Sequence, residues 1–137
     1  MPFSLSHVEL YVSDLPSARP FWAWLFDHMG YEQCSEWSDG VCFSKDGHYF
    51  CFVQAPPGHR DQPHHRCRPG LNHLAFRADT PEEITALREA LIERNVTLLY
   101  EDRYPHASSP DTHGVFFEGP ERFKVEVVAP VTGETRG

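Results

Sequence analysis

Hydrophobic and polar positions alternate from near the start of the chain. In His7-Val8-Glu9-Leu10-Tyr11-Val12 the apolar Val8, Leu10 and Val12 share one side of an extended backbone, and His7, Glu9 and Tyr11 share the other. That period of two predicts a strand. Asp14 and Pro16 mark a turn, after which Ala18, Phe21, Trp22, Leu25 and Met29 recur at helical spacing as far as Gly30, a good C-terminal stop. Pro20 falls just beyond the first turn of this helix, where a backbone donor is normally needed, so the helix is expected to begin later than a cap at Asp14 suggests. The plan then returns. His73-Leu74-Ala75-Phe76-Arg77-Ala78 predicts a second strand, with His73, Ala75 and Arg77 on one side. Thr80-Pro81-Glu82-Glu83 predicts a capping box with proline at the first helical position. Ile84, Leu87 and Leu91 form the buried stripe of that helix, and Asn95 its left-handed stop.

The ends of the two halves also match. Gly40 to Pro56 aligns with Gly114 to Pro130 without a gap, and each reads as two strands around a turn. The strands are Val41–Phe43 and Tyr49–Val53, then Val115–Phe117 and Phe123–Val127. A short strand near Glu32–Trp37 and another near Val96–Tyr100 complete each half. The order is strand, helix, strand, strand, strand, twice over. The expected fold is therefore α+β, one domain over 1–137. Unit one covers about 3–56, a linker rich in Pro, Gly and His covers 57–69, unit two about 70–130, and a tail 131–137.

Composition narrows the partners. A chain of 137 residues is long enough for one core of its own. A formal net charge of −8 argues against a nucleic-acid backbone or an anionic membrane surface as partner. No run approaches the roughly 18 to 20 apolar residues that span a bilayer, and no secretory signal is visible, so a cytoplasmic protein is expected. Cys34, Cys42, Cys51 and Cys67 form no C-x-x-C pair and are expected as free, buried thiols. His64, His65 and Cys67 lie in the linker and read as a solvated surface run. Trp24 and Phe26 extend beyond the buried helical stripe and are offered for a dimer contact.

Candidate chemistry sits at repeated positions. His7 and His73 begin equivalent strands. Glu126 alternates with Val125 and Val127 and so points away from their layer, as the two histidines do. The ungapped match sets Phe52 opposite Glu126, with Gln54 two residues further along the same strand face. Glu9 shares the side of His7 and is a candidate base or orienting partner. Arg77 is a candidate for an anionic group or for an ion pair with Glu9. Tyr104, His106 and His113 fall in the long loop before Val115, where substrate contact or proton transfer is expected of Tyr104 and His113.

These stretches, HVELYVSDL, GLNHLAFRADTPEEITALREAL and GVFFEGPERFKVEVVAP in this order, resemble the vicinal-oxygen-chelate superfamily of glyoxalases, bleomycin-resistance proteins, fosfomycin-resistance enzymes and extradiol dioxygenases. The resemblance runs from Ser6 to Pro130. It implies two tandem βαβββ units forming a curved mixed sheet around a cup that holds a divalent metal. It further implies His7, His73 and Glu126 as ligands, with Gln54 as the candidate fourth. Two His and one carboxylate suit Fe or Mn and leave positions for a small substrate that chelates through adjacent oxygens, which favours dioxygenase-like chemistry. With Gln54 as a fourth ligand, Ni, Co or Zn and a glyoxalase-like lyase or isomerase are implied. A metal-free small-molecule binding protein is the other alternative. Fosfomycin-type thiol transfer ranks below these, because the segment after Glu126 lacks basic residues. A homodimer is expected, as is common in the superfamily.

Overall fold

Strand alternation decides which side of each sheet meets a helix. The structure, a computed structural model, describes residues 3–131 and divides into two units, Met1–His64 and His65–Gly137. Unit 1 runs β1 (His7–Val12), α1 (Leu15–His28), β2 (Glu32–Trp37), β3 (Gly40–Lys45) and β4 (His48–Gln54). Unit 2 runs β5 (Leu74–Arg77), α2 (Pro81–Glu93), β6 (Thr97–Leu99), β7 (Thr112–Glu118) and β8 (Lys124–Pro130). The sheets have the same order, β1-β4-β3-β2 and β5-β8-β7-β6. In each, the first strand lies parallel to the last and the other pairs are antiparallel. The doubled βαβββ order is thus present as the repeat predicts. Beyond Val131, the expected tail lies outside the described residues. No described helix is long and apolar enough to cross a membrane.

Helix starts follow the local chemistry, with one correction. α1 begins at Leu15, directly after Asp14, and Pro20 lies inside it. The Asp14 carboxylate accepts from the Ser17 backbone N–H at 3.3 Å and from its hydroxyl at 2.9 Å. This cap, together with burial of Leu15, Ala18 and Trp22, offsets the single helical bond that proline cannot make. α2 carries the expected capping box between Thr80 and Glu83, and Asn95 takes the left-handed conformation at φ 59°.

An aromatic core fastens α1 to its sheet. The Trp22 ring stacks on Phe52 at 4.4 Å, and Phe26 stacks on Phe43 at 5.2 Å. Phe26 is fully buried, which corrects its expected place at a dimer contact: it belongs to the core, and Trp24 alone of that pair is part-exposed. In unit 2, Ile84, Leu87 and Leu91 are buried, as are Val115, Phe117, Val125 and Val127.

The ungapped match between the units is off by one residue after the turn. In unit 1 Ser44 pairs with Tyr49, whereas in unit 2 Glu118 pairs with Lys124, across a connection one residue longer. A one-residue shift exchanges the faces of a strand. Glu126 pairs with Ala75 of β5, and the equivalent partner of Glu9 in β1 is Cys51. Cys51, not Phe52, is therefore the counterpart of Glu126. Phe52 and Gln54 fall on the helix-facing side of β4.

The same register corrects the cysteine expectation. Cys42 and Cys51 are cross-strand partners joined by a disulfide, with Cα atoms 4.1 Å apart, and Cys34 and Cys67 are exposed. Directly paired residues share a face of the sheet, so their sulfurs meet without strand movement. Thiol titration of the unfolded, unreduced protein is expected to find two thiols, rising to four after reduction; four before reduction would contradict the bond.

Candidate functional site

In β8, Val125 and Val127 are buried on the side of the sheet that carries α2, so Glu126 between them faces the other side, here termed the open face. His73, just before β5, reaches the same face. Its Nε2 lies 3.0 Å from Glu126 Oε1, and the carboxylate side chain is only 13% exposed. Asn72 Oδ1 stands 2.7 Å from His73 Nδ1 and accepts from an N–H there. The Nε2 contact with the carboxylate is then an ion pair when Nε2 also carries a proton, and a place for a cation when it does not. The phenyl ring of Phe116, opposite Glu126 in the register, packs 5.9 Å from the imidazole.

Unit 1 repeats half of this arrangement. Ser6 Oγ lies 3.0 Å from His7 Nδ1, so the residue preceding each histidine occupies its Nδ1 and leaves Nε2 outward. The His7 ring stacks on Tyr49, its cross-strand partner, at 4.6 Å with 4° between planes. Its Nε2 stands 3.8 Å from Glu9 Oε2. No carboxylate occupies the place that Glu126 has in unit 2; the Cys42–Cys51 bond is there. Within either unit, no three His, Cys, Asp or Glu side chains gather among the described residues.

The remaining candidates lie elsewhere. Gln54 is committed on the helix side: its Oε1 accepts from Leu15 N–H at 2.9 Å and its Nε2 donates to Ser13 O at 2.7 Å. His113 shares the strand side of Val115 and Phe117, away from Glu126, and bonds Tyr104 Oη at 3.1 Å. The Tyr104 ring lies under the Arg88 guanidinium of α2. Burial, and then the neighbouring His106, pushes the His113 imidazole below its usual range against a smaller upward pull from Glu82. His106 Nδ1 bonds Thr112 O. Arg77 ends β5 exposed on the open side. In the linker, His65 Nδ1 accepts from Cys67 N–H at 3.1 Å, and its Nε2 stands 3.1 Å from Arg122 Nη1.

Sequence reasoning missed Ser6 and Asn72. The signal was a polar residue immediately before each repeated histidine, visible once both histidines are given a common role. It also missed Glu118 on the open face, whose Oε2 accepts from Arg66 Nε at 2.7 Å and Arg122 Nε at 3.1 Å.

Comparison with known proteins gives a consistent result. The sequence profile of the glyoxalase/bleomycin resistance protein/dioxygenase superfamily matches residues 6–117. An uncharacterized Bacillus subtilis protein, YqjT, is 43% identical over 126 residues, spanning 92% of this chain and 98% of that one. A Bacillus halodurans protein solved as a candidate glyoxalase is 43% identical with a TM-score of 0.90, over 94% of this chain and 97% of its own. A fosfomycin resistance protein of Listeria monocytogenes, solved with Mn(II) and sulfate, is 20% identical with a TM-score of 0.65 over 98% of each chain; at that identity the likeness is one of fold.

Burial alone pushes the Glu118 carboxyl up, but the Arg66 and Arg122 bonds outweigh it and hold it below the usual carboxylate range. A carboxylate so held stabilises the fold above its unfolded value, and that contribution is lost as pH falls through its lowered folded value. Glu118→Gln is expected to cost about 1–3 kcal/mol at neutral pH. The gap to wild type should close in acid, read by urea denaturation at several pH values; a gap independent of pH would contradict the assignment.

Proposed function

The chain belongs to the glyoxalase/bleomycin resistance protein/dioxygenase superfamily, and from that premise we propose that it is a divalent-metal enzyme acting on a small substrate that chelates through adjacent oxygens. The observation that carries the reading is the His73–Glu126 pair, 3.0 Å apart with the far imidazole nitrogen already occupied by Asn72. His73 and Glu126, together on one face of unit 2, supply two ligands, and membership of the superfamily supports His7 as the third. Imidazole and carboxylate together suit Fe or Mn, and also accept Zn, Co or Ni. An ion bound there supplies Lewis-acid activation of the chelating oxygens.

The chain's own residues prepare that chemistry. Asn72 Oδ1, an acceptor, favours the His73 tautomer that presents Nε2, and Ser6 Oγ engages His7 Nδ1 and so orients that ring. Phe116 gives an apolar wall beside the ligand pair. Glu9, exposed and 3.8 Å from His7 Nε2, is the candidate base or orienting partner in this reading. Because both amide atoms of Gln54 are committed near the start of α1, and Cys51 stands where a fourth carboxylate would be, a three-ligand set is favoured. Three protein ligands leave positions for a bidentate substrate and a further small molecule, as dioxygenase-like chemistry requires.

Elemental mass spectrometry on protein purified without chelator is expected to give near-stoichiometric iron or manganese, absent from His73→Ala. Asn72→Ala should retain the metal but weaken it about 10–100-fold. Nickel, cobalt or zinc would move the reading to glyoxalase-like chemistry. No metal after reconstitution with any of these ions would leave a small-molecule binding protein of the bleomycin-resistance kind. The proposed assembly is a homodimer, supported by the exposed Phe3, Leu5 and Tyr11 along the edge of unit 1; sedimentation equilibrium should return the mass of two chains, and a single-chain mass would refute it.

A further inference from the structure

The open face of unit 2 holds more than the ligand pair. Lys124 lies on the same side of β8 as Glu126, two residues away and so about 6–7 Å along the strand. Its counterpart in unit 1 by register is Tyr49, which stacks on His7. Lys124 departs from that plan: its Nζ turns to the Tyr100 hydroxyl at 3.1 Å and stands 5.9 Å from the Phe116 ring centroid. Phe116 is thus shared, with His73 against it at 5.9 Å and the Lys124 ammonium at the same distance.

Charge at this end is unbalanced. The cross-strand partner of Lys124 is Glu118, but that carboxylate is already held by Arg66 and Arg122. Lys124 makes no ion pair among the described residues. A second cation, the Arg103 guanidinium, lies 4.7 Å from the centroid of the Tyr100 ring. In a chain of net charge −8, two cations, Lys124 and Arg103, therefore gather at the Tyr100 ring. Tyr100 itself is held in the left-handed conformation at φ 56°, a costly backbone for a bulky residue and one that recurs where a side chain is aimed for use. Since Lys124 donates to the Tyr100 oxygen, the phenolic hydrogen is left to donate elsewhere.

We propose that Lys124 and Tyr100 form a carboxylate subsite, so that the substrate carries its chelating oxygens to His73 and Glu126, a flat or apolar segment over Phe116, and a carboxylate at the far end. An ammonium and a phenol offer two donors, one for each carboxylate oxygen. This deepens the proposed function and rests on its metal reading. The substrate class is accordingly a carboxylic acid with a vicinal pair of oxygens separated from the acid group by a short planar or apolar spacer.

The test uses the full chain loaded with Fe(III), titrated with 3,4-dihydroxybenzoate and with catechol, reading the visible catecholate-to-iron charge-transfer band. Wild type is expected to bind the carboxylated probe about tenfold more tightly than catechol, a difference that shrinks with added salt. Lys124→Gln should bring the two probes within about twofold of each other while leaving the catechol affinity unchanged, and Tyr100→Phe should lose about half of the preference on a logarithmic scale. Equal binding of both probes by wild type, or a preference that survives Lys124→Gln, would overturn the subsite while the metal reading stands. Absence of a band with either probe would overturn the metal reading and the subsite with it.

Discussion

Strand β8 has no freedom in how it faces, and the candidate site inherits that constraint. It lies between β5 and β7, so its backbone donors and acceptors are committed on both edges. Val125, Val127 and Ala129 are buried on the α2 side. The intervening residues, Lys124, Glu126 and Val128, must then occupy the open face. A register slip of one residue would drive the Glu126 carboxylate into an apolar layer and bring out two valines. The unpaired charge alone would cost several kcal/mol. The hydrophobic contact that stabilises unit 2 is therefore also what aims its carboxylate and its lysine.

Unit 1 obeys the same rule with a different outcome. Its shorter turn between β3 and β4 shifts the last strand by one residue, so Phe50 and Phe52 meet the aromatic face of α1. Cys51 then takes the open-face place of Glu126, and its partner Cys42 the place of Phe116. Gln54, on the helix side with Phe52, ties the strand to Ser13 and Leu15 at the start of α1. The two units share a frame, yet unit 1 spends its final strand on packing and helix entry, while unit 2 spends its own on charged groups. The turn decides which residues of the last strand face outward, and the residue type there, Cys51 against Glu126, decides which half carries the acid.

Much of this was legible because it was periodic. Alternation located β1 at His7–Val12 and placed Glu126 on the face of His73; the Thr80–Glu83 box and Asn95 bounded α2. What escaped depended on single residues whose effect is not periodic. One extra residue in a turn reversed the faces of Phe52 and Gln54, and no pattern in Tyr49–Val53, apolar throughout apart from Cys51, revealed it. An amphipathic-stripe reading of α1 left out Phe26, because a helix that packs under a curved row of aromatics buries a wider arc than a narrow stripe. The Cys42–Cys51 bond required knowing that β3 and β4 pair with those residues opposed. His113 looked available because its loop is long, but the strand that begins at Thr112 fixes its side.

The orientation of the histidines shows where the frame has been refined. A histidine on a strand can present either nitrogen, and a side chain free to choose gives up part of any ligand affinity to entropy and to the wrong tautomer. Asn72 narrows that choice and Ser6 fixes which nitrogen turns inward, each as the neighbour in sequence and with no tertiary contact needed. In unit 2 the consequence is sharper, because with Nδ1 engaged by Asn72 the other nitrogen stands 3.0 Å from a carboxylate oxygen. Two groups so arranged repel unless a positive charge lies between them. The fold tolerates that arrangement because the valines flanking Glu126 leave the carboxylate nowhere else to go. The same packing holds the pair whether the positive charge is a proton on His73 or the ion proposed above.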